Sequence, residues 1–305
     1  MAHSFANSGR TVRHRRFEDI VAIITESVSG FFAHNDSSLG AALAFYTLFS
    51  VAPILIIAVA IAGYVFGTAT AQSEVLSQLQ ALIGDAGAAA IRELVASAQY
   101  SDKKGFAAAV GIITLVVGAT SVFAELQNAL ERIWQMPPPP KDRAWWHVIR
   151  GRVLSVGMVL GVGFLLLVSL VVSAALAAFG GWLGAFVPQL KILLPVLDLV
   201  FSTCMTVLLF ALIYKYIPRE SVPWGDVWVG AAVTAMLFTI GKLLIGIYLG
   251  KSSFSSAYGA AGSFIVLLLW IYYSAQIFLL GAEFTRVFAY RHGSRSPGRG
   301  HAFTH

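Results

Sequence analysis

Six apolar stretches, each long enough to cross a bilayer, occupy about half of this 305-residue chain, and every other reading has to fit inside that constraint. A spanning helix needs about 20 mostly apolar residues at about 1.5 Å of rise each. The stretches run from Gly40 to Phe66, Phe106 to Glu125, Val153 to Phe179, Ile192 to Ile217, Val227 to Leu249 and Ala260 to Ala282. Hydrocarbon offers no water to backbone N–H and C=O groups, so each stretch is expected to be helical, and an even number leaves both termini on one side. The predicted fold class is all-α. It is a polytopic membrane protein with six transmembrane helices in a single integral membrane domain, and with amphipathic helices at the N-terminus and in the outer loop.

The basic residues orient this arrangement, because Lys and Arg near span ends are retained on the cytoplasmic side. Fifteen of the 21 fall in one set of segments: Arg10 to Arg16 before the first stretch, Arg132 to Arg152 between the second and third, Lys215 and Arg219 between the fourth and fifth, and Arg286 onward. The opposite set holds Arg92, Lys103, Lys104, Lys191 and Lys251, with Lys242 inside the fifth stretch. Both termini are therefore expected in the cytoplasm, with residues 283–305 as a tail. A net charge of +6 would suggest nucleic acid in a soluble protein. Here the excess sits where topology and anionic headgroups account for it, and no nucleic-acid partner is expected. The single Cys204 allows no intramolecular disulfide and no cysteine metal cluster.

Outside the stretches, residues 17–34 form an amphipathic segment and not a continuous apolar core, so no cleavable signal peptide is expected. Phe17, Ile20, Val21, Ile24, Val28, Phe31 and Phe32 recur at helical spacing, with Glu18, Asp19 and Glu26 on other faces. A helix lying in the membrane surface would carry Lys and Arg on its polar face. This one is expected to pack against the cytoplasmic ends of the spans. Between the first two stretches, Val75 to Ile83 and Ile91 to Ala98 make two apolar stripes separated by Gly84, Asp85 and Gly87, which predicts two short helices capping the outer face. Pro137 to Pro140 form a stiff tether ahead of the interface anchors Trp145 and Trp146. Gly157 with Gly161, Ser169 with Ser173, and Gly246 with Gly250 have helix-packing spacing.

Charges inside a membrane are costly and mark function or pairing, which singles out Glu125, Asp198, Lys242 and Glu283. Asp198 and Lys242 lie at matched depths of roughly 9 and 10 Å from the outer surface on neighbouring spans, so they are candidates for a pair. Snorkelling of the lysine is the alternative. Toward the cytoplasm, Glu125, Asn128 and Arg132 share one helical stripe, and Tyr272, Gln276, Glu283 and Arg286 share another. Two such stripes would line a polar cavity, unless each carboxylate pairs with the arginine on its own helix. Pro53 and Pro195 permit kinks near Tyr46 and Asp198.

The run Gly40-Ala-Ala-Leu-Ala-Phe-Tyr-Thr-Leu-Phe-Ser-Val-Ala-Pro53 resembles the opening span of the YihY/BrkB membrane protein family. Similar too are Ser121 through Trp134, Ala257-Tyr-Gly-Ala-Ala-Gly-Ser263, Leu267 through Ser274, and Gly281-Ala-Glu-Phe284, in matching order over residues 17–290. The resemblance implies a six-helix integral protein of the bacterial cytoplasmic (inner) membrane. It also brings two labels, ribonuclease BN and resistance to serum killing, and a suspected role in transport or envelope lipid handling.

The residues themselves do not suggest a nuclease, which needs a metal cage or an acid and base pair at a wet surface. Five of the seven histidines lie in the terminal tails, and His34 and His147 precede spans with no Asp or His at ligand spacing. Neither a cofactor nor an enzymatic activity is expected. Two readings stand: a transporter or lipid conduit using Tyr46, Glu125, Asn128, Asp198, Lys242, Gln276 and Glu283, and a noncatalytic envelope component acting through partners. Membrane lipids, a small solute or lipid substrate, and a second copy or an envelope protein are the expected partners. With Cys at Ser73 or Gln99, an impermeant thiol reagent should label intact cells; with Cys at Arg143 or Arg291, it should label only after the membrane is opened. The reverse pattern, or labelling of both sets in intact cells, rules out six spans with cytoplasmic termini.

Overall fold

The computed structural model of the chain describes residues 5–50, 121–137, 190–219, 222–251 and 261–296, with scattered residues between them. Regular structure among the described residues is all α-helix. We label these helices α1 (Phe5–Ala33), α2 (residues 36–50), α3 (residues 121–133), α4 (Leu190–Tyr216), α5 (Trp224–Lys251) and α6 (Ala261–Arg291). Three segments among the described residues are long and apolar enough to cross a membrane: Leu199–Tyr216, Trp224–Leu249 and Phe264–Arg291. The rest of the first, second and third predicted spans lies outside the described residues.

Helix ends follow local chemistry. Pro218 cannot continue α4, and the Pro223 carbonyl accepts the first amides of α5 from Asp226 and Val227, both at 3.1 Å. Asp226 then complements the positive end of α5. Past the end of α6, Ser294 donates to Asp226 from its hydroxyl at 2.6 Å, tying the two helices together. Between α1 and α2 the chain turns at Asn35, whose φ of 59° is left-handed. Asparagine tolerates this conformation better than most residues.

Between helices in lipid, close packing and hydrogen bonds replace the hydrophobic effect as the source of cohesion. The contact of α5 with α6 is built on a reciprocal motif, Gly230 and Thr234 on one helix against Gly281 and Thr285 on the other. A Cβ on Gly230 would overlap the Thr285 side chain, and one on Gly281 would overlap Thr234. Each threonine keeps its hydroxyl on its own helix, donating to the carbonyl four residues back at 2.7 Å. From α4, the buried Tyr214 donates to the Phe278 carbonyl at 2.8 Å and lies 3.0 Å from Thr234 Oγ1. Leu130, Ile133 and Trp134 complete this core from α3 and the turn after it. Around Gly157, Gly161 and Gly246 no described residue comes within contact distance, and Gly250, Ser169 and Ser173 lie outside the described side chains.

A second, smaller core joins Ala44 and Leu48 of α2 to Leu267 and Ile271 in the first half of α6. Ala88 and Ile91, helical residues from the predicted outer loop, are buried in it. Ile271 is roughly 18 Å along α6 from Glu283, so these two residues pack beside α6 instead of only capping its end. The remainder of that loop lies outside the described residues.

The N-terminal helix α1 packs on α6, as its amphipathic pattern predicts, but with a different face. Ile23, Ser27 and Gly30 are buried, whereas Ile20, Val21, Ile24, Val28 and Phe32 are exposed. The glycine-threonine contact is testable by thermal unfolding in detergent. Gly230→Ala and Gly281→Ala should each destabilise the protein by about 1–3 kcal/mol, the usual cost of overpacking, whereas Gly246→Ala should be neutral or slightly stabilising.

Candidate functional site

Glu283 is fully buried on α6, between Leu279 and Ala282 of the main core and Val287 on the next turn. An ionised carboxylate in such a place needs partners, and two side chains supply them. Arg286, one turn along the same helix, donates from Nε at 3.0 Å and from its terminal nitrogen at 2.9 Å, both to Oε2. His34 Nδ1 bonds the other oxygen, Oε1. Gly30 of α1 makes the approach possible, since a Cβ there would stand 2.7 Å from Glu283 Oε2 and 2.9 Å from the Arg286 guanidinium.

The second ring nitrogen of His34 lies 3.2 Å from Gln135 Nε2. An amide nitrogen is a donor, so in this arrangement Nε2 of His34 accepts and Nδ1–H donates to Glu283. That tautomer follows from the assigned orientation of the Gln135 amide. Gln135 itself has a φ of 52° at the end of α3, where Met136 N reaches the Glu131 carbonyl at 2.9 Å and Gln135 N reaches that of Arg132 at 3.0 Å. This is the helix stop that usually employs glycine. Asn35 and Gln135 are the left-handed non-glycine residues among those described, and they flank His34 on two sides. Backbone strain of this kind concentrates at functional positions.

Beside this cluster lies Asp36, the first residue of α2. It has no exposed surface, and neither carboxyl oxygen has a hydrogen-bond partner. Burial, reinforced by the Glu283 charge, pushes its carboxyl up to about 7 from an ordinary 3.8, while Arg132 and Arg286 pull the other way. Gln276, two turns before Glu283 on α6, donates to the Ser37 carbonyl at 3.3 Å and presses against Gly40. Its own carbonyl oxygen is buried without a partner.

Further ion pairs surround the site. The Arg219 guanidinium grips both oxygens of Glu131, which also accepts from Gln127 at 2.7 Å. Arg291 pairs with Glu26 of α1, and its hydrogen bonds hold that carboxyl below the usual range. Arg295 stacks 5.2 Å over the Trp134 ring. Arginines from three separate segments, the end of α3, the stretch after α4 and the end of α6, thus gather at one end of the bundle. Among the described residues, no three His, Cys, Asp or Glu side chains stand close enough to hold a metal ion together.

Of the residues singled out from the sequence, Glu283 and Gln276 both face the start of α2, and the expected Glu283–Arg286 pair is present. Tyr46 is exposed, with its ring against Phe45. Glu125 is half-buried and Asn128 exposed on α3. The ion pair on that helix runs from Glu131 to Arg219, not from Glu125 to Arg132. Lys242 is half-buried on α5. The Asp198 side chain, and with it the Asp198–Lys242 pair, lies outside the described residues. The sequence reading missed His34, Asp36, Gln135 and Glu131. Nothing local signals the meeting of His34 with Glu283, because the two residues are 249 positions apart.

Comparison with known proteins places this geometry in a family context. Residues 27–303 match the model of the family described as virulence factor BrkB. A protein described as UPF0761 membrane protein from Alcanivorax borkumensis is 26% identical over 94% of this chain and 65% of its own length. One from Pseudoalteromonas atlantica is 29% identical over 80% of this chain and 78% of its own, and one from Rhodospirillum centenum is 25% identical over 88% and 58%. The chain spans less than two thirds of the length of several of these relatives. No solved structure matches the chain.

The raised Asp36 carboxyl predicts a pH-dependent stability. The folded state holds a proton that the unfolded state has released between about 3.8 and about 7. Stability contributed by Asp36 is therefore full below that window and declines as pH rises through it. A displacement of this size corresponds to about 4 kcal/mol between the two protonation states. Asp36→Asn should flatten the decline and raise the unfolding midpoint at mildly alkaline pH, measured by thermal unfolding across that range.

Proposed function

We propose that this chain, which belongs to the virulence factor BrkB family of membrane proteins, is a six-span carrier of a small solute or a lipid in the bacterial inner membrane, with both termini in the cytoplasm. The observation that carries this reading is the junction of α2 with α6. Glu283 is fully enclosed and held by Arg286 of its own helix and His34 of the turn after α1, and beside it the Asp36 carboxylate and the Gln276 carbonyl are enclosed without partners. Buried ionisable groups in membrane helices are costly and mark substrate or ion pathways. A purely structural bundle has no need of a helix contact that is apolar along one part and, at its other end, polar and incompletely satisfied.

The orientation rests on the basic end of the bundle. Arg132, Arg219, Arg286, Arg291 and Arg295 belong to segments that the charge count assigns to the cytoplasm, and the contacts of Glu131, Glu26 and Trp134 draw those segments together. The exposed rings of Tyr216, Trp224 and Trp228 at the same end suit an interfacial aromatic belt. None of the relatives described above bears an enzymatic name.

Purified protein in proteoliposomes tests the reading, with fluorescent phospholipid analogues and a panel of labelled small solutes as probes. The intact protein should move at least one of them faster than protein-free vesicles. Glu283→Gln should reduce that movement to background while the amount of folded protein in the vesicles is maintained. If nothing moves, or if Glu283→Gln lowers only the yield of folded protein, a noncatalytic envelope component acting through partners becomes the better account.

A further inference from the structure

The α2–α6 junction contains acceptors without donors. Asp36 has two unpartnered oxygens and Gln276 has one, all buried. They face a common junction, because the Gln276 amide nitrogen bonds the carbonyl of Ser37, next in chain to Asp36, and lies against Gly40, one helical turn along. Asp36 does not cap its own helix. That role falls to Asn35, whose carbonyl receives the amides of Ser38 at 3.1 Å and Leu39 at 3.4 Å. Among the described residues no cation bonds Asp36: Arg286 points two of its nitrogens at Glu283, and Arg132, whose side chain is exposed, acts on the acid only through its field.

An enclosed acid that no donor reaches, with a second carboxylate and a buried carbonyl as neighbours, calls for a proton or a small cation. A cation of the Na⁺ or K⁺ type would need several oxygen ligands converging on a point, whereas a proton needs a single oxygen. The protonated acid would also supply the one donor that this junction lacks.

We infer that Asp36 is a proton-binding site, loaded from the side of the membrane on which His34 and Gln135 lie, and that a proton is the ion coupled to movement of the carried molecule. The coupling half of this inference rests on the transport reading above; the site itself does not. The step is a simple association: one aspartate oxygen gains a proton, and one negative charge is neutralised. His34 stands at the entrance, partly exposed, with one ring nitrogen on Glu283 and the other beside the exposed Gln135 amide. Turning that amide over converts it from donor to acceptor, so Gln135 can match either the neutral ring or the imidazolium. The charged groups acting on Asp36 are Glu283 and Arg286 on α6 and Arg132 on α3, with His34 in the adjoining turn. Their balance, together with burial, sets its carboxyl near neutrality, where modest changes in pH alter its occupancy.

Infrared difference spectroscopy of the full chain in nanodiscs, titrated from mildly acidic to mildly alkaline pH, reads this proton without reference to any substrate. The carbonyl stretch of a protonated carboxylic acid should appear with a midpoint of about 7 and should be missing in Asp36→Asn. Two variants keep Asp36 and test its surroundings should Asp36→Asn fail to fold. Glu283→Gln, which removes the neighbouring negative charge and releases Arg286, should lower the midpoint by about one pH unit or more. Arg132→Gln, at an exposed position, should raise it. A spectrum with no such band near neutrality, a band that survives Asp36→Asn, or a midpoint indifferent to both other variants overturns the site. The same titration repeated in sodium and in potassium salts should give one midpoint, and displacement by either cation would identify that cation as the ligand instead. Coupling is read separately, in proteoliposomes with and without a pH gradient. Flux that the gradient does not change, with the Asp36 band present, overturns the coupling and leaves the site standing.

Discussion

A carboxylate with no exposed surface, set on a helix that is mostly apolar, constrains the packing around it more than any other group described. Leaving a buried charge without its partner costs about 3 to 5 kcal/mol, so the elements that satisfy Glu283 are not free to lie elsewhere. Arg286 does so from the same helix. His34 does so from the turn after α1, which fixes where α1 must end. Gly30 has to be without a side chain so that α1 can come close enough. The path of the N-terminal helix along α6, and the face it buries, follow from this contact. Amphipathicity alone would have turned a different face inward.

The two sides of α6 differ in kind. Toward α4 and α5 the contact is closed, with glycine against threonine in both directions, each threonine hydroxyl returned to its own backbone, and the Tyr214 hydroxyl bonded across the helices. Interiors packed in this way resist small displacement because each atom has neighbours on every side. Toward α1 and the start of α2 the contact includes a polar junction that holds orphaned acceptors, with an apolar core farther along α2. Changing the proton count at Asp36 alters the electrostatics of this second contact and leaves the first untouched, which is the asymmetry that a moving element against a fixed one requires. Gathered around the same end, the Glu131–Arg219 and Glu26–Arg291 pairs differ in weight. The first is mostly enclosed, whereas the second is exposed and screened, and such surface pairs contribute about 1 kcal/mol or less.

Much of the architecture was legible in advance because a bilayer demands long uninterrupted apolar runs, and such runs are local in sequence. The stretches that became α4, α5 and α6, and α2 from Gly40 onward, were visible from hydropathy and length, and the amphipathic N-terminal helix from periodicity. Glu283 and Gln276 were visible for the same reason, as polar residues where the surrounding pattern is apolar, and the Glu283–Arg286 pair could be read from a three-residue interval on one helix.

What the sequence did not reveal are the contacts between distant segments. Small residues spaced four apart appear several times, and nothing local distinguishes Gly230 and Gly281, which each meet a threonine, from Gly246, which no described residue approaches. Glu125 and Glu131 lie on the same helix with similar neighbours, and only the arrival of Arg219 decides which of them is ion-paired. Nothing local marks His34 and Asp36 until α1 and α2 are laid against α6. Hydropathy and periodicity are properties of a segment and were determined by the sequence itself. Pairing, burial and the charge state of an acid depend on which segments become neighbours, and only the tertiary structure decided those.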